Sequence, residues 1–175
     1  MEFEILYAIN NMHGPILDKI MVVLTTLGDA GIIWIILALI LICIKKTRKC
    51  GVLILLALIT GLILGNGILK NLVARSRPCW IDNSIALLIP NPHDYSFPSG
   101  HTLASFEAAI MIFLHNKKWG SVALAIALLI SFSRMYLFVH FPTDILGGII
   151  LAAVISISLY NLWNKLEKRR GAKSK

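Results

Sequence analysis

The sequence predicts an all-α integral membrane protein, a helical bundle with five transmembrane helices and amphipathic helices at its amino terminus. Its 175 residues are 57% hydrophobic and 15% charged, and the mean hydropathy is +0.78. This composition is far more apolar than that of a soluble domain. Apolar runs also recur at about the 20-residue length that a helix needs to cross a bilayer. We therefore expect one membrane-embedded domain over residues 1–175.

Residues 1–27 predict two short helices that lie in the membrane interface. The runs 3–12 and 15–27 are separated by the sequence HGP, and Asp18 and Lys19 interrupt the second run. Mixed apolar and charged runs of this kind are typical of interfacial amphipathic helices. The acidic residues and the missing basic start argue against a cleavable signal peptide. If residues 1–27 crossed the bilayer instead, the bundle would have six spans.

Five later segments predict the transmembrane helices. They run from about Gly28 to Ile44, Gly51 to Val73, Ser99 to His115, Trp119 to Val139 and Pro142 to Trp163. The first is slightly short, so we expect it to borrow residues from the preceding helix. The last begins with proline, which suits the first turn of a helix. Between the second and third spans the chain is rich in Pro, Asn, Asp and Ser, which predicts a loop.

The basic residues predict the orientation of the bundle. Twelve of the seventeen Lys and Arg residues lie in three clusters, at 45–49, 117–118 and 165–175. With five spans, all three clusters fall on one side, which the positive-inside tendency makes cytoplasmic. The last cluster is then a basic cytoplasmic tail, and the amino terminus lies outside. Membrane topology thus accounts for most of the net charge of +8, and we do not expect nucleic acid as a partner.

The remaining basic residues lie where this tendency disfavours them. They are Lys19, Lys70, Arg75, Arg77 and Arg134, and the last four fall at the predicted outer face. A bound anion would explain their position. The guanidinium group of Arg and the ammonium group of Lys are the side-chain groups that bind phosphate oxygens.

Other reactive side chains are predicted on the same face. Ser99, Gly100 and His101 open the third span, and His140 and Asp144 join the fourth span to the fifth. Ionisable groups at membrane depth are costly and normally line a functional cavity. Two histidines can divide a phosphoryl transfer, one attacking phosphorus and the other protonating the leaving oxygen. A helix start offers N–H groups to the phosphate, and the aspartate is close enough to orient His140.

The sequence predicts neither a metal ion nor a cofactor. Its three cysteines form no zinc-binding pattern, and no acidic cluster is apparent for magnesium. Basic residues would then have to stabilise the charge of the transition state.

Three stretches together resemble a known family. KNLVARSRP (70–78), PSGH (98–101) and SRMYLFVHFPTD (133–144) match the patterns KxxxxxxRP, PSGH and SRxxxxxHxxxD. In these motifs the chain resembles the type 2 phosphatidic acid phosphatase superfamily of membrane lipid phosphatases, over about residues 20–165. The resemblance implies a metal-independent enzyme that cleaves lipid phosphate monoesters or diphosphates through a phosphohistidine.

The resemblance also implies a role for each signature residue. His140 resembles the nucleophile, Asp144 its orienting partner, and His101 the general acid that later activates water. The phosphate cradle would consist of Lys70, Arg77, Ser99, Gly100 and Arg134. No signature position departs from the pattern.

Several alternatives remain open at this stage. Small bacterial members often act on undecaprenyl diphosphate or phosphatidylglycerol phosphate, and an outward-facing site favours the first. The rivals are a phosphatidic acid phosphatase, a lipid phosphotransferase with the same intermediate, a vanadate-dependent haloperoxidase and a non-catalytic lipid-binding protein. The apolar spans argue against the haloperoxidase, and Asp144 behind His140 argues against mere binding. We expect a lipid phosphate and membrane lipids as partners, whereas the sequence leaves the oligomeric state unknown.

Three further features carry weaker hypotheses. Arg75 is expected to be a solvated or head-group contact, and the segment HDYSF (93–97) is a candidate gate for the pocket. The GxxxG spacing at 61–65, with Gly147 and Gly148, predicts close helix contact.

Overall fold

The computed structural model describes the backbone of residues 1–173 and the side chains of residues 1–170, and this part of the chain is helical without a β-strand. The helices are α1 (Glu2–Asn10), α2 (Pro15–Leu27), α3 (Ile32–Cys43), α4 (Arg48–Gly61), α5 (Lys70–Val73), α6 (Pro78–Ile81), α7 (Gly100–His115), α8 (Lys117–Tyr136) and α9 (Pro142–Lys173). A 3-10 turn, Asp29–Gly31, follows α2, and a π-helical segment, Leu62–Leu69, joins α4 to α5. The predicted basic tail at 165–175 lies partly outside the described residues.

Several helices are long and apolar enough to cross a bilayer. Within the described residues, three runs meet this condition alone: Arg48–Ile81, Lys117–Tyr136 and Pro142–Arg170. A fourth span results if Pro15–Leu27 and Asp29–Cys43, which meet at an angle of 45°, are taken together. Taken in this way, the predicted first span gains its length from α2. The short helix α7 has 16 residues, fewer than a full crossing needs, so the number of five or six spans stays a prediction.

Helix α7 lies at the centre of the bundle, packed against α4, α8 and α9. Small residues make this packing close. A Cβ added at Gly61 would collide with the Glu107 carboxyl, and one at Gly65 with the Leu103 side chain. The predicted GxxxG segment thus contacts α7 of the same chain, which confirms the close helix contact.

The two ends of the bundle differ in character. The Lys49 ammonium lies 2.8 Å from Asn164 Oδ1, and the His115 ring lies 5.4 Å from that of Tyr160. The loop at 45–49, the turn at 115–118 and the last turns of α9 are therefore neighbours, as the charge pattern predicted. The three signature motifs lie at the opposite end of the helices.

Candidate active site

The start of α7 is tied directly to the start of α9. The Ser99 side chain caps α7, accepting a hydrogen bond from the Thr102 N–H at 3.5 Å, and the Ser99 N–H donates to the Asp144 carbonyl at 3.2 Å. A Cβ at Gly148 would lie 3.1 Å from the Ser99 carbonyl oxygen, so α9 approaches this turn closely. Two motifs distant in the sequence are thereby held together.

His140 lies in the turn between α8 and α9 and is only 1% exposed. Its Nε2 atom lies 3.1 Å from Arg77 Nη1, and its Nδ1 atom lies 3.4 Å from Ser96 Oγ and 3.5 Å from Asp144 Oδ2. A guanidinium can only donate, so Nε2 must carry the lone pair and Nδ1 the proton. This is the tautomer in which Nε2 can attack phosphorus.

Asp144 is fully buried and held by three groups. Ser96 Oγ and the Phe141 N–H donate to Oδ2 at 2.5 Å and 2.8 Å, and Arg75 Nη1 donates to Oδ1 at 2.6 Å. A carboxylate bound on both oxygens cannot rotate away from its neighbours. Asp144 therefore presents a fixed negative charge behind the Nδ1 atom of His140.

The position of Arg75 corrects the expectation that it is a solvated or head-group contact. Its second nitrogen, Nη2, donates to Glu2 Oε2 at 2.6 Å, and its guanidinium lies 4.2 Å from the centre of the Phe141 ring. Because its other nitrogen binds Asp144, Arg75 links helix α1 to this buried carboxylate. A cavity of about 530 Å³ opens beside it, lined by Glu2, Ile81, Phe141 and neighbouring residues.

Three buried cations surround His140. The exposed fractions are 5% for Lys70, 2% for Arg77 and 5% for Arg134. Asp94 pairs with Lys70 and, at 2.7 Å, with Arg77 Nη2. Arg134 donates to the Thr25 hydroxyl, and its buried Nε atom has no partner among the described side chains. Buried charges are normally paired, whereas Asp94 balances only part of the charge of these three cations.

The charges in this pocket act on one another. Burial and then the positive charges of Arg77, Arg134, Lys70 and His101 hold the pKa of His140 well below its ordinary value. His140 is thus neutral at physiological pH, which is the form in which an imidazole can attack phosphorus.

Two of these cations also lower the pKa of Asp94. Burial alone would raise the pKa of this carboxyl, but Lys70 and Arg77 lower it to about 2. Asp94 is therefore an anion that occupies the cationic cluster.

His101 lies in the first turn of α7, with its Nε2 atom 2.8 Å from Asp29 Oδ1. Its charge contributes to the pKa of His140, so both histidines face the same pocket. Gly100 lies beside Asn66, whose buried Oδ1 atom lacks a hydrogen-bond partner within the described residues. The structure gathers all the residues predicted for the site at one end of the bundle: Lys70, Arg77, Ser99, Gly100, His101, Arg134, His140 and Asp144.

Sequence reasoning missed four residues that contact this set. Ser96 and Asp94 belong to HDYSF, which the sequence indicates only as a candidate gate, and the sequence predicts Arg75 to be a solvated or head-group contact. Asp29 was not singled out, although it is the one charged residue in the predicted span 28–44. An isolated carboxylate in an apolar span was the available signal.

Comparison with known proteins identifies the family. A family model described as the PAP2 superfamily matches residues 51–168, which include all three motifs. An undecaprenyl-diphosphatase of Sulfolobus acidocaldarius is 35% identical over 154 residues, covering 87% of this chain and 74% of that protein. The undecaprenyl-diphosphatase BcrC of Bacillus subtilis is 31% identical over 162 residues, covering 91% and 83%.

A solved structure agrees with this result. The transmembrane PAP2-type phosphatidylglycerolphosphate phosphatase from Bacillus subtilis superposes with a TM-score of 0.74 at 30% identity, covering 93% of this chain and 84% of that one. The predicted resemblance is confirmed in sequence and in fold. The chain belongs to the PAP2 superfamily and is a multi-pass membrane hydrolase that acts on lipid phosphates.

Proposed function

We propose that this enzyme removes the terminal phosphate of undecaprenyl diphosphate at the extracytoplasmic face of the cytoplasmic membrane, through a phosphohistidine and without a metal ion. The observation that carries the proposal is the group of buried cations around His140, with Arg77 Nη1 3.1 Å from its Nε2 atom. The printed names of the Sulfolobus acidocaldarius and Bacillus subtilis relatives support the choice of lipid.

Binding comes first in this mechanism. The terminal phosphate enters the cluster of Lys70, Arg77 and Arg134 and displaces the Asp94 carboxylate, because both anions compete for the same donors. The Nε atom of Arg134, which has no hydrogen-bond partner within the described residues, supplies an additional donor. The helix start at Ser99 and Gly100 offers N–H groups to the same anion.

Phosphoryl transfer then takes place in two steps. His140 Nε2 forms a bond to phosphorus while the bond to the bridging oxygen breaks, and His101 gives that oxygen a proton. Asp144 stabilises the positive charge that develops on the His140 ring. In the second step water attacks phosphorus, His101 takes a proton from it, and the bond to Nε2 breaks. Inorganic phosphate leaves, and both histidines return to their starting states.

Metal independence follows from the charges available. Three buried cations can stabilise the equatorial oxygens of the transition state, a role that a metal ion fills in other phosphatases. Turnover in the presence of a chelator is therefore expected to equal turnover in its absence. Loss of activity that magnesium restores would contradict this part of the mechanism.

The nucleophile is tested by His140→Ala, with His115→Ala at the opposite end of the bundle as the matched control. We expect His140→Ala to abolish phosphate release while the protein stays folded and binds lipid, and the control to resemble the wild type. Wild-type enzyme quenched during turnover of substrate labelled in the terminal phosphate should carry acid-labile, base-stable label. Substantial activity in His140→Ala would refute the assignment.

A second candidate function is hydrolysis of phosphatidylglycerol phosphate, favoured by the similarity to the solved Bacillus subtilis phosphatase. Phosphatidic acid hydrolysis and transfer to a lipid acceptor use the same intermediate. A panel of the three lipids, assayed on purified protein with and without acceptors, separates these functions. We expect the highest kcat/KM for undecaprenyl diphosphate and release of free phosphate, and a clear preference for either phospholipid would replace the proposed substrate.

A further inference from the structure

We propose that Asp29 is the positioning partner of His101, and that it sets which ring nitrogen of His101 exchanges protons with the leaving oxygen and with water. The inference rests on the proposed mechanism, in which His101 is the general acid. It adds a residue from the amino-terminal part of the chain, outside the residues 51–168 that the family model matches.

The contact itself assigns the nitrogens. The Asp29 carboxylate lies 2.8 Å from His101 Nε2 and can only accept a hydrogen bond, so Nε2 carries the proton. Nδ1 has no hydrogen-bond partner in the described part of the chain. It is left as the nitrogen that gives and takes the reacting proton. The site then contains two histidine-carboxylate pairs, and they hold opposite nitrogens, since His140 faces Asp144 through Nδ1.

The backbone around Asp29 is shaped to deliver this contact. Ala30 and Gly31, which follow it, have φ values of 50° and 67°, in the left-handed region that a residue with a side chain seldom adopts. These two residues lie where the chain bends by 45° between α2 and α3. A straight apolar span would need no such bend, and strained backbone of this kind is concentrated at functional sites.

The residue before Asp29 packs directly on the histidine. A Cβ added at Gly28 would lie 2.8 Å from both His101 Cδ2 and Ile130 Cγ2. Only glycine lets the backbone come this near to the imidazole ring. Gly28 and Asp29 thus fix the ring by contact on one edge and by a hydrogen bond on Nε2.

The charges around His101 give Asp29 a chemical task. The charged groups that face His101 are Asp29 of the 3-10 turn, Arg134 of α8 and Lys70 of α5, and the neutral ring of His140 also faces it. Among these described groups, Asp29 is the one that carries a carboxylate. It therefore stabilises the protonated imidazole, the form that must exist when His101 gives its proton to the leaving oxygen.

The test uses the dependence of the reaction on its leaving group. An alkoxide needs a proton to leave, whereas a nitrophenolate does not. Two substrates are compared, a long-chain alkyl phosphate and a nitrophenyl phosphate that carries the same chain, by kcat/KM, which reports the steps up to departure of the leaving group. For Asp29→Asn we expect a loss of about 100-fold with the alkyl ester. With the nitrophenyl ester we expect a loss of less than about threefold.

Three controls separate positioning from a structural role. Asp29→Glu restores a carboxylate and should recover part of the alkyl ester rate, and Asp82→Asn, an exposed carboxylate in the 82–99 loop, should resemble the wild type. Inhibition by inorganic phosphate should be unchanged in Asp29→Asn. In a His101→Ala background, Asp29→Asn should have no further effect, because both changes remove the same proton transfer.

The outcomes distinguish this inference from the proposed function. If Asp29→Asn lowers both substrates equally, leaves both unchanged, or adds to His101→Ala, the inference is wrong even when His140→Ala is inactive. If His140→Ala remains active, the phosphohistidine mechanism itself is wrong.

Discussion

Asp94 occupies the cationic cluster, and its replacement by asparagine should strengthen the binding of phosphate. The change keeps the size of the side chain and removes the negative charge that pairs with Lys70 and Arg77. A charge-assisted hydrogen bond to a buried partner contributes about 1.5–3 kcal/mol. The Asp94 side chain is 56% exposed, however, so solvent screening reduces its competition with phosphate to roughly 1 kcal/mol. This corresponds to about a fivefold change in affinity.

The assay measures inhibition by inorganic phosphate, which reports anion binding independently of the chemical step. We expect the inhibition constant for Asp94→Asn to be about fivefold lower than for the wild type, from the energy above. The folded-state pKa of Asp94, about 2, lies below the ordinary value. Its ion pairs therefore persist above that ordinary value and are lost only as the pH falls through about 2. The ratio of the two constants should stay the same between about pH 5 and pH 8.

Asp82→Asn is the matched control, because Asp82 lies in the same loop and contacts Tyr7 and Ser84 rather than the cluster. Its inhibition constant should equal that of the wild type. If phosphate inhibits Asp94→Asn as weakly as the wild type, or more weakly, then Asp94 does not compete with phosphate. Asp94 would instead hold the Lys70 and Arg77 side chains in position to bind phosphate.

Two further predictions concern the groups that hold Asp144. Ser96→Ala removes the 2.5 Å hydrogen bond to Asp144 Oδ2 and should lower kcat by about tenfold with little change in KM. Ser84→Ala is the control. An unchanged kcat in Ser96→Ala would show that Ser96 does not position Asp144 and His140. Arg75→Ala leaves a buried carboxylate without its ion pair and should lower both kcat and the thermal unfolding temperature, more than Ser96→Ala does. Arg75→Lys should recover part of both losses, and an equally stable Arg75→Ala enzyme would contradict the role given to this pair.

The helices, and which of their ends lie on the same side of the membrane, were predictable because the bilayer restricts the conformations of an apolar chain. Within lipid every backbone N–H and C=O must bond inside its own segment, so long apolar runs become helices. The positions of Lys49 and His115 at one end also follow from the alternation of spans. The bend at Ala30 was not predictable, since no local propensity favours a left-handed alanine inside an apolar run.

The chemical identities of the site residues were equally accessible, whereas their partners were not. Lys70, His101 and His140 stand out because ionisable side chains are rare in such a sequence. The contact between Asp29 and His101 joins residues 72 positions apart, and that between Ser96 and Asp144 joins residues 48 apart. Neither has a periodic or local signal, so neither is visible before the helices are packed.

The amino-acid sequence by itself determined that this is a helical membrane enzyme that acts on lipid phosphates, with a set of basic, histidine and aspartate side chains at one end. Hydrophobicity and charge act locally, and they can be read along the chain. Only the tertiary structure decided that Asp94 occupies the cationic cluster, that Arg75 and Ser96 hold Asp144, and that Asp29 holds His101. These contacts depend on the packing of α7 against its neighbours, which brings together residues that the sequence keeps far apart.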